Sequence, residues 1–145
     1  MISGLIRILA AAALLVATSV SAQQTISVYK NEGCGCCEKW VEHLQKNGFS
    51  VKAHNVPDLA AYRAKSGIPE SLAACHTARV GAYAIEGHVP AREIKRLLAE
   101  RPKARGLAVP GMPAGSPGME SDRPQPYDVL LVKPDGTTAV FQSYR

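Results

Sequence analysis

The sequence lacks several patterns by which common protein classes are recognised. Its 145 residues carry a formal net charge of +5, yet the lysines and arginines are scattered, with no run of like charge and no interleaved aromatics. This distribution is typical of a solvated basic surface and argues against nucleic-acid binding. No Ser/His/Asp set, carboxylate pair or phosphate-binding loop stands out, which disfavours hydrolytic enzymes. There is no internal repeat and no sign of a second domain.

Long hydrophobic runs are confined to the N-terminus. Residues 1–22 combine one early positive charge, an apolar run rich in alanine and leucine, and the small-residue sequence Val20-Ser21-Ala22. The pattern predicts a cleavable secretory signal peptide rather than a membrane anchor, because the apolar run is short and is followed by a cleavage site. We therefore expect residues 23–145 to form one compact exported domain with no membrane segment after cleavage.

Cysteine is scarce, but three of the four cysteines lie together in residues 33–37. Alternating residues before this segment predict a strand over residues 25–30, and apolar residues at helical spacing after it predict a helix that runs to Asn47. The cysteines therefore occupy a strand-to-helix turn. Free backbone N–H groups and the positive end of the helix dipole favour a thiolate there, the form that binds a soft metal or attacks a disulfide.

The remainder of the chain predicts further strands and helices around this turn. Local patterns predict a strand over residues 49–56, short helical segments over 57–67 and 68–72, an apolar stretch over 80–85 and a helix over 91–100. Residues 106–126 are rich in glycine and proline and predict a long loop that is functional or disordered. A β-hairpin follows, with strands at residues 129–132 and 137–141.

This order resembles a thioredoxin-like domain, in which a Cys-x-x-Cys turn opens the first helix and a Val-Pro or Ile-Pro pair precedes a terminal hairpin. Cys34 and Cys37 match the turn. Pro110 or Pro113 matches the loop proline, which in that fold is cis and faces the cysteines. The departures are an extra cysteine in the motif, an insertion after the second strand and no final helix after Phe141. The predicted fold class is α/β: a thioredoxin-like single domain with an insertion before the C-terminal β-hairpin.

Several interpretations of the cysteines are chemically open. Exported cysteines can form two structural disulfides, although such a framework normally spaces its cysteines along the chain. Cys34 and Cys37 have the spacing of a thiol–disulfide oxidoreductase, but a third thiol at Cys36 would disturb a simple dithiol couple. The three turn cysteines and Cys75 together could also bind zinc. However, zinc sites made of four cysteines usually have two well-separated pairs of ligands, and this sequence lacks that spacing. Thiolates combined with thioethers favour Cu(I).

Two methionines and two histidines extend the candidate metal site. Met112 and Met119 lie in the Gly/Pro-rich loop with few apolar neighbours, so each is a candidate thioether ligand as well as a candidate for packing. His76 directly follows the fourth cysteine, and His88 lies in a Gly-His-Val-Pro turn. By contrast, His43 falls on the polar side of the first predicted helix and is expected at the surface.

Four motifs together resemble one known bacterial family. They are Cys34-Gly35-Cys36-Cys37, Cys75-His76-Thr77-Ala78, Glu86-Gly87-His88-Val89-Pro90, and Val109-Pro110-Gly111-Met112-Pro113 with Gly115-Ser116-Pro117-Gly118-Met119-Glu120. They are similar to those of the CopG-type copper-resistance family, long catalogued as a domain of unknown function and distinct from the DNA-binding repressor of that name. The resemblance covers nearly all of residues 23–145. It implies a periplasmic thioredoxin-like protein that binds copper through cysteine sulfur, with a role in copper redox handling.

We therefore expect a periplasmic copper-binding protein in copper resistance or homeostasis. The expected metal ligands are Cys34, Cys36, Cys37, Cys75, Met112, Met119, His76 and His88. We hypothesise that it sequesters copper, with interconversion of Cu(I) and Cu(II), and other periplasmic copper-handling proteins are candidate partners. The alternative is a thiol–disulfide oxidoreductase that uses Cys34 and Cys37. The sequence leaves open whether the protein is an enzyme and how many copper ions it binds.

Overall fold

The computed structural model describes residues 24–145, and the predicted signal peptide over residues 1–22 lies outside the described residues. The described chain forms a single α/β domain with one sheet. Its strands are β1 (Thr25–Lys30), β2 (Ser50–Asn55), β3 (His76–Val80), β4 (Tyr83–Glu86), β5 (Gly106–Ala108), β6 (Tyr127–Val132) and β7 (Thr138–Tyr144). Its helices are α1 (Gly35–Lys46), α2 (Leu59–Lys65) and α3 (Ala91–Glu100), with a 3-10 turn at Glu70–Leu72.

The seven strands lie in the order β2-β1-β3-β4-β5-β6-β7. Two neighbouring pairs are parallel, β1 with β2 and β4 with β5, and the others are antiparallel. Parallel neighbours need a crossover connection, usually a helix. Helix α1 makes the first crossover and helix α3 the second, so the two predicted long helices are the connections that the sheet order requires.

The main core lies between the sheet and the two crossover helices. Trp40 and Leu44 from α1 and Ile94 from α3 are fully buried in the same cluster as Ile85 of β4. The neighbouring residue Ala84 belongs to a separate, smaller cluster, because successive side chains of a strand point to opposite faces of the sheet. Both faces of the central strands are therefore covered.

Several local predictions are confirmed to within a residue or two. Strand β1 and helix α3 have the predicted bounds, and helix α1 ends beside Asn47 as expected. The C-terminal hairpin is present, and the described residues after Phe141 continue β7 to Tyr144. These elements have strong local periodicity or turn signals, which is why the sequence alone identifies them.

The prediction of an uninterrupted loop over residues 106–126 is wrong at its start. Residues 106–108 form β5, which is buried and pairs with both β4 and β6. The backbone of Gly106 lies so close to Ala84 that an added Cβ would overlap it. Three residues carry too little local pattern to predict a strand, and it is the neighbouring strands that make this segment one.

Two features that the thioredoxin-like resemblance implies, the place of the terminal hairpin and a cis loop proline, also differ from the structure. The hairpin that pairs with β1 is β3–β4, followed by α3, whereas the C-terminal hairpin β6–β7 lies at the far edge, joined to the sheet through β5. Within residues 24–145 no peptide bond is cis, so the bonds before Pro110 and Pro113 are trans. Trans is the ordinary state of an X–Pro bond unless packing selects the other isomer.

Candidate metal centre

Strand pairing brings the fourth cysteine to the cysteine turn. In the antiparallel pairing of β1 with β3, Lys30 at the end of β1 faces His76 at the start of β3. Cys34 is the N-cap residue of α1, a few residues after Lys30, and Cys75 directly precedes His76. The sulfur atoms of all four cysteines consequently lie within 4.8 Å of one another.

The four cysteines are in two chemical states. Cys34 and Cys37 are joined by a disulfide, whereas Cys36 and Cys75 are free thiols and half-buried. The Sγ atom of Cys36 lies 3.6 Å from that of Cys34 and 3.7 Å from that of Cys75. The disulfide is the Cys-x-x-Cys pair that the spacing singled out. The interpretation with two structural disulfides does not describe this structure, because two thiols remain free.

Two buried histidines flank the Cys75 sulfur. The Cys75 Sγ atom lies 2.9 Å from His88 Nε2 and 3.4 Å from His76 Nδ1. The other ring nitrogen of each histidine faces a carbonyl: His88 Nδ1 is 2.7 Å from the Pro117 oxygen, and His76 Nε2 is 2.9 Å from the Gly87 oxygen. A carbonyl oxygen only accepts, so those nitrogens carry the protons and donate them. The lone pairs of the other two nitrogens therefore point at the Cys75 sulfur.

This geometry is typical of histidines that bind a metal. A ligating histidine usually donates its second N–H to a carbonyl or carboxylate, which fixes the tautomer and the ring orientation. Burial lowers the pKa of His76 to about 3, with His88 adding to the shift, and burial also lowers the pKa of His88. Burial, with a further contribution from Cys36, raises the pKa of the Cys75 thiol to about 12. At neutral pH the group is uncharged, and a bound metal would displace the thiol proton.

The two candidate methionines are placed differently. Met112 Sδ lies 3.9 Å from Cys36 Sγ, and the Met112 side chain is 50% exposed. Met119 is half-buried and lines an open hollow of about 520 Å³ beside Cys36, together with Lys39 and Glu120. The structure thus brings the Met112 sulfur to the thiols, and it places Met119 beside Cys36 in this hollow. The roles of all eight residues as metal ligands stay a prediction.

The loop that carries the methionines is packed over the cysteine turn. Gly118 has a φ of +90°, and a Cβ added there would lie 2.7 Å from the Cys36 carbonyl oxygen and 3.1 Å from His88 Nδ1. A side chain at this position would meet both the backbone conformation and these two neighbours. Glycine at position 118 is therefore what lets the loop approach the turn closely.

The sequence did not identify the buried ion pair that holds the segment before Cys75. Arg63 Nε donates to Glu86 Oε1 at 2.7 Å, and both side chains are buried. Arg63 Nη2 also donates to the Ala74 carbonyl at 2.9 Å, while the Ala74 N–H donates to Glu86 Oε1 at 2.8 Å. Thr77 Oγ1 donates to the other carboxylate oxygen of Glu86. Both backbone polar groups of Ala74 are thus fixed next to Cys75.

The acidic partners of Arg63 favour its charged form. Burial alone would lower the pKa of the Arg63 guanidinium, but its hydrogen bonds and charge interactions with Glu86 and Glu70 raise it above its ordinary value. No local signal links Arg63 in α2 with Glu86 in β4. The one sequence signal is that Glu86 lies two residues before the candidate ligand His88, in the motif over residues 86–90.

The surroundings of His43 differ from the prediction. His43 is half-buried rather than exposed, and its Nε2 accepts a hydrogen bond of 3.0 Å from the N–H of Ala91, the first residue of α3. Burial lowers the pKa of His43. Its neutral ring thus satisfies one of the free donors at the beginning of α3, where a positive charge would be unfavourable.

We expect Gly118→Ala to destabilise the protein by about 2 kcal/mol, because the methyl group would meet the Cys36 carbonyl and the positive φ disfavours alanine. Gly111→Ala is the matched control. Gly111 also has a positive φ, of +69°, but an added Cβ meets nothing within 4 Å. The free energies of unfolding come from urea titrations of both variants. An equal loss of unfolding free energy in the two variants would show that the close approach of Gly118 to the cysteine turn adds nothing to the cost of the substitution.

Glu86→Gln is expected to cost about 3 kcal/mol, because it leaves the buried Arg63 guanidinium without its closest counter-charge. The control is Glu100→Gln, which removes the half-exposed Arg96–Glu100 pair and should cost less than about 1 kcal/mol. Chemical denaturation of the two variants measures the difference. If Glu86→Gln and Glu100→Gln both lose only a little unfolding free energy, the Arg63–Glu86 pair does not hold the segment before Cys75 in place.

Stability should fall as the pH drops below 6.5, the ordinary histidine value. The folded-state pKa values of His43, His76 and His88 are all lowered, so the unfolded chain binds protons in this range that the folded chain does not. We expect a loss of at least about 1 kcal/mol per pH unit between pH 6 and 5. Urea unfolding at a series of pH values measures it, with the exposed His54→Gln variant as control. A flat profile over this range would contradict the buried neutral histidines.

Comparison with known proteins gives an independent identification. A family model described as "Protein of unknown function, DUF411" matches residues 72–119, which contain the fourth cysteine, both buried histidines and both loop methionines. No curated protein matches. A solved structure described as copper resistance protein CopG, Form 2, is 42% identical, with a TM-score of 0.82, over 86% of this chain and 100% of that chain. Form 1 is also 42% identical, with a TM-score of 0.81, over 85% of this chain and 98% of that chain. The chain thus belongs to the CopG copper-resistance protein family.

Proposed function

We propose that this protein binds copper at the cluster formed by the cysteine turn, Cys75 and the two buried histidines, and that it acts in copper resistance. The observation that carries the proposal is the convergence of four cysteine sulfurs within 4.8 Å, with two imidazole lone pairs aimed at one of them. Thiolates and thioethers select Cu(I), and imidazole also suits Cu(II). The name of the similar solved structures is consistent with this metal.

Cys36 has the central position in the proposed site. It lies between Cys34 and Cys75 and contacts the Met112 thioether. A thiolate in this position is close enough to several sulfurs to bridge more than one Cu(I) ion. Zinc gains nothing from a thioether, so the Met112 contact favours copper over zinc.

The number of sulfur ligands depends on the redox state of the turn. With Cys34 and Cys37 joined, the free ligands are Cys36 and Cys75 together with the two histidines and Met112. Reduction adds two thiolates and shifts the site towards softer ligands, which favour Cu(I). This mixture of soft and borderline ligands supports interconversion of Cu(I) and Cu(II). Treating the copper-loaded protein alternately with a chemical oxidant and a reductant tests this interconversion. If the bound copper does not change between Cu(I) and Cu(II), copper sequestration alone remains as the proposed role.

We also propose that residues 1–22 are a signal peptide and that residues 23–145 act in the periplasm with other copper-handling proteins. The N-terminal apolar run and the Val20-Ser21-Ala22 sequence support export. Across residues 24–145 no helix is both long and apolar enough to span a bilayer. A thioredoxin-like relationship is supported by the cysteine turn between β1 and α1 and by the β3–β4 hairpin that pairs with β1.

A thiol–disulfide oxidoreductase is the second candidate function, and one observation favours it. The Cys34–Cys37 disulfide lies at the N-terminus of α1, where the helix dipole favours the thiolate that is released on reduction. An insulin-reduction assay separates the two functions. Turnover that is lost in Cys37→Ser and unaffected by copper chelators would favour the oxidoreductase.

Copper binding is tested by anaerobic loading with Cu(I), followed by measurement of the metal content and of competition with a chelator. Cys36 is the thiol that a Cys-x-x-Cys redox couple does not need, so Cys36→Ser is the informative variant. We expect its apparent affinity to fall at least roughly tenfold, while the exposed His54→Gln control binds like wild type. Negligible copper in the wild type, or unchanged binding in Cys36→Ser, would contradict the proposal.

A further inference from the structure

The single tryptophan of the sequence lies against the imidazole part of the site. Trp40 has no exposed surface, and its ring centroid is 4.2 Å from that of His76, with the two ring planes inclined by 32°. Trp40 belongs to α1, whose first turn carries Cys36 and Cys37, whereas His76 begins β3. The indole therefore connects the helix that carries the thiols with the strand that carries a candidate imidazole ligand.

The indole N–H of Trp40 holds the turn that carries the second histidine. Trp40 Nε1 donates to the Val89 carbonyl at 2.9 Å, and Val89 directly follows His88. In the same turn, the Gly87 carbonyl accepts from the Val89 N–H at 2.9 Å and from His76 Nε2 at 2.9 Å. One side chain thus packs against one imidazole and anchors the backbone beside the other.

The hydrogen bonds that orient the imidazoles depend on this anchor. A carbonyl fixes the tautomer of a histidine only while the carbonyl itself stays in place, and the Gly87 carbonyl belongs to the turn that Trp40 holds through Val89. The torsion that turns an imidazole about its bond to Cβ is otherwise broad. For His76, contacts with the rings of Trp40 and His88, whose centroids are 4.2 Å and 5.0 Å away, restrict this torsion.

Filling the core does not by itself require these contacts. Leu44 lies one turn further along α1 and is as fully buried in the same cluster, yet it has no polar atom to satisfy. A buried indole N–H needs a hydrogen-bond partner, and at position 40 the partner is a carbonyl next to a candidate ligand. The polar atom of Trp40 is therefore used to hold the site.

We propose that Trp40 is the positioning residue for His76 and His88, and that it thereby sets the preference of the site for Cu(II) relative to Cu(I). This inference rests on the copper-binding function proposed above. Imidazole suits Cu(II), whereas thiolates and thioethers select Cu(I). Loss of the correct imidazole orientation weakens the binding of Cu(II) more than that of Cu(I), which the sulfurs hold.

Trp40→Phe keeps an aromatic ring beside His76 and removes the N–H that holds Val89. We expect the affinity for Cu(II) to fall about tenfold relative to the affinity for Cu(I), as is common when a residue that orients a metal ligand is lost. A tenfold change in this ratio raises the reduction potential of the bound copper by about 59 mV. The potential is measured by equilibrating the copper-loaded protein with redox mediators.

A tryptophan analogue separates the hydrogen bond from the ring packing. Because the sequence contains one tryptophan, growth on benzothienylalanine changes only Trp40, whose N–H is replaced by a sulfur atom in a ring of similar size. This replacement preserves the core packing even if Trp40→Phe fails to fold. We expect the potential to rise in this protein too, because the Val89 carbonyl loses its anchor.

The metal-free protein gives a readout that does not depend on copper. In the wild type, ¹⁵N NMR of the imidazoles should show one tautomer for each ring, with the proton on Nε2 of His76 and on Nδ1 of His88. We expect averaged tautomers of His76 in Trp40→Phe, because the Gly87 carbonyl is no longer held. Leu44→Ala is the matched control: it removes core volume from the same helix, and it should keep the wild-type tautomers and potential.

Three results would overturn the inference while leaving copper binding intact. The first is an unchanged potential with unchanged tautomers in both proteins altered at Trp40. The second is a shift in Leu44→Ala as large as that in Trp40→Phe, which would show that Trp40 acts only through the stability of the fold. The third is wild-type copper that binds as Cu(I) and cannot be oxidised, since no preference would remain to be set. Failure of the wild type to bind Cu(I) would instead refute the proposed function, together with the inference that rests on it.

Discussion

The antiparallel pairing of β1 with β3 is the contact on which the arrangement of the metal centre depends. It sets the end of β1, which leads into the cysteine turn, against the start of β3, which follows Cys75. The parallel pairing of β1 with β2 then requires α1 as a crossover, and the first turn of α1 carries the other cysteines. Residues that are 39 positions apart in the sequence therefore meet, as Cys36 and Cys75 do.

Buried polar groups keep this arrangement rigid. Glu86 accepts hydrogen bonds from Arg63, from the Ala74 N–H and from Thr77, and these bonds hold the backbone on the approach to Cys75. In residues 24–145 no buried side-chain nitrogen or oxygen lacks a hydrogen-bond partner. Complete pairing matters because a buried charge without a partner is strongly destabilising. Hydrogen bonds to backbone carbonyls likewise fix the tautomers of His76 and His88. The fold therefore orients these candidate ligands before any metal binds.

The parts of the structure that the sequence predicted are those with a local cause. The periodicity around Trp40 and Ile94 marks the two crossover helices, and the turn chemistry near Gly136 marks the C-terminal hairpin. Strand β5 was missed because three residues show no period, and the β3–β4 hairpin was not recognised as the partner of β1. The softness of cysteine and methionine ligands, together with the four family-like motifs, predicted which side chains would form a metal site, and their roles as ligands stay a prediction.

Spacing and local propensity act over a few residues, so they are enough to show which residues are available for sulfur chemistry and that a strand-to-helix turn presents three of them. The folded domain is needed to show that Cys34 pairs with Cys37, that the lone pairs of His76 and His88 face Cys75, and that Arg63 pairs with Glu86. Some of these contacts join segments that are distant in the chain. The others depend on atomic distances and burial, which exist only in the folded protein. Burial and hydrogen bonding, which set the histidine tautomers and the Cys75 pKa, exist only once the sheet has assembled.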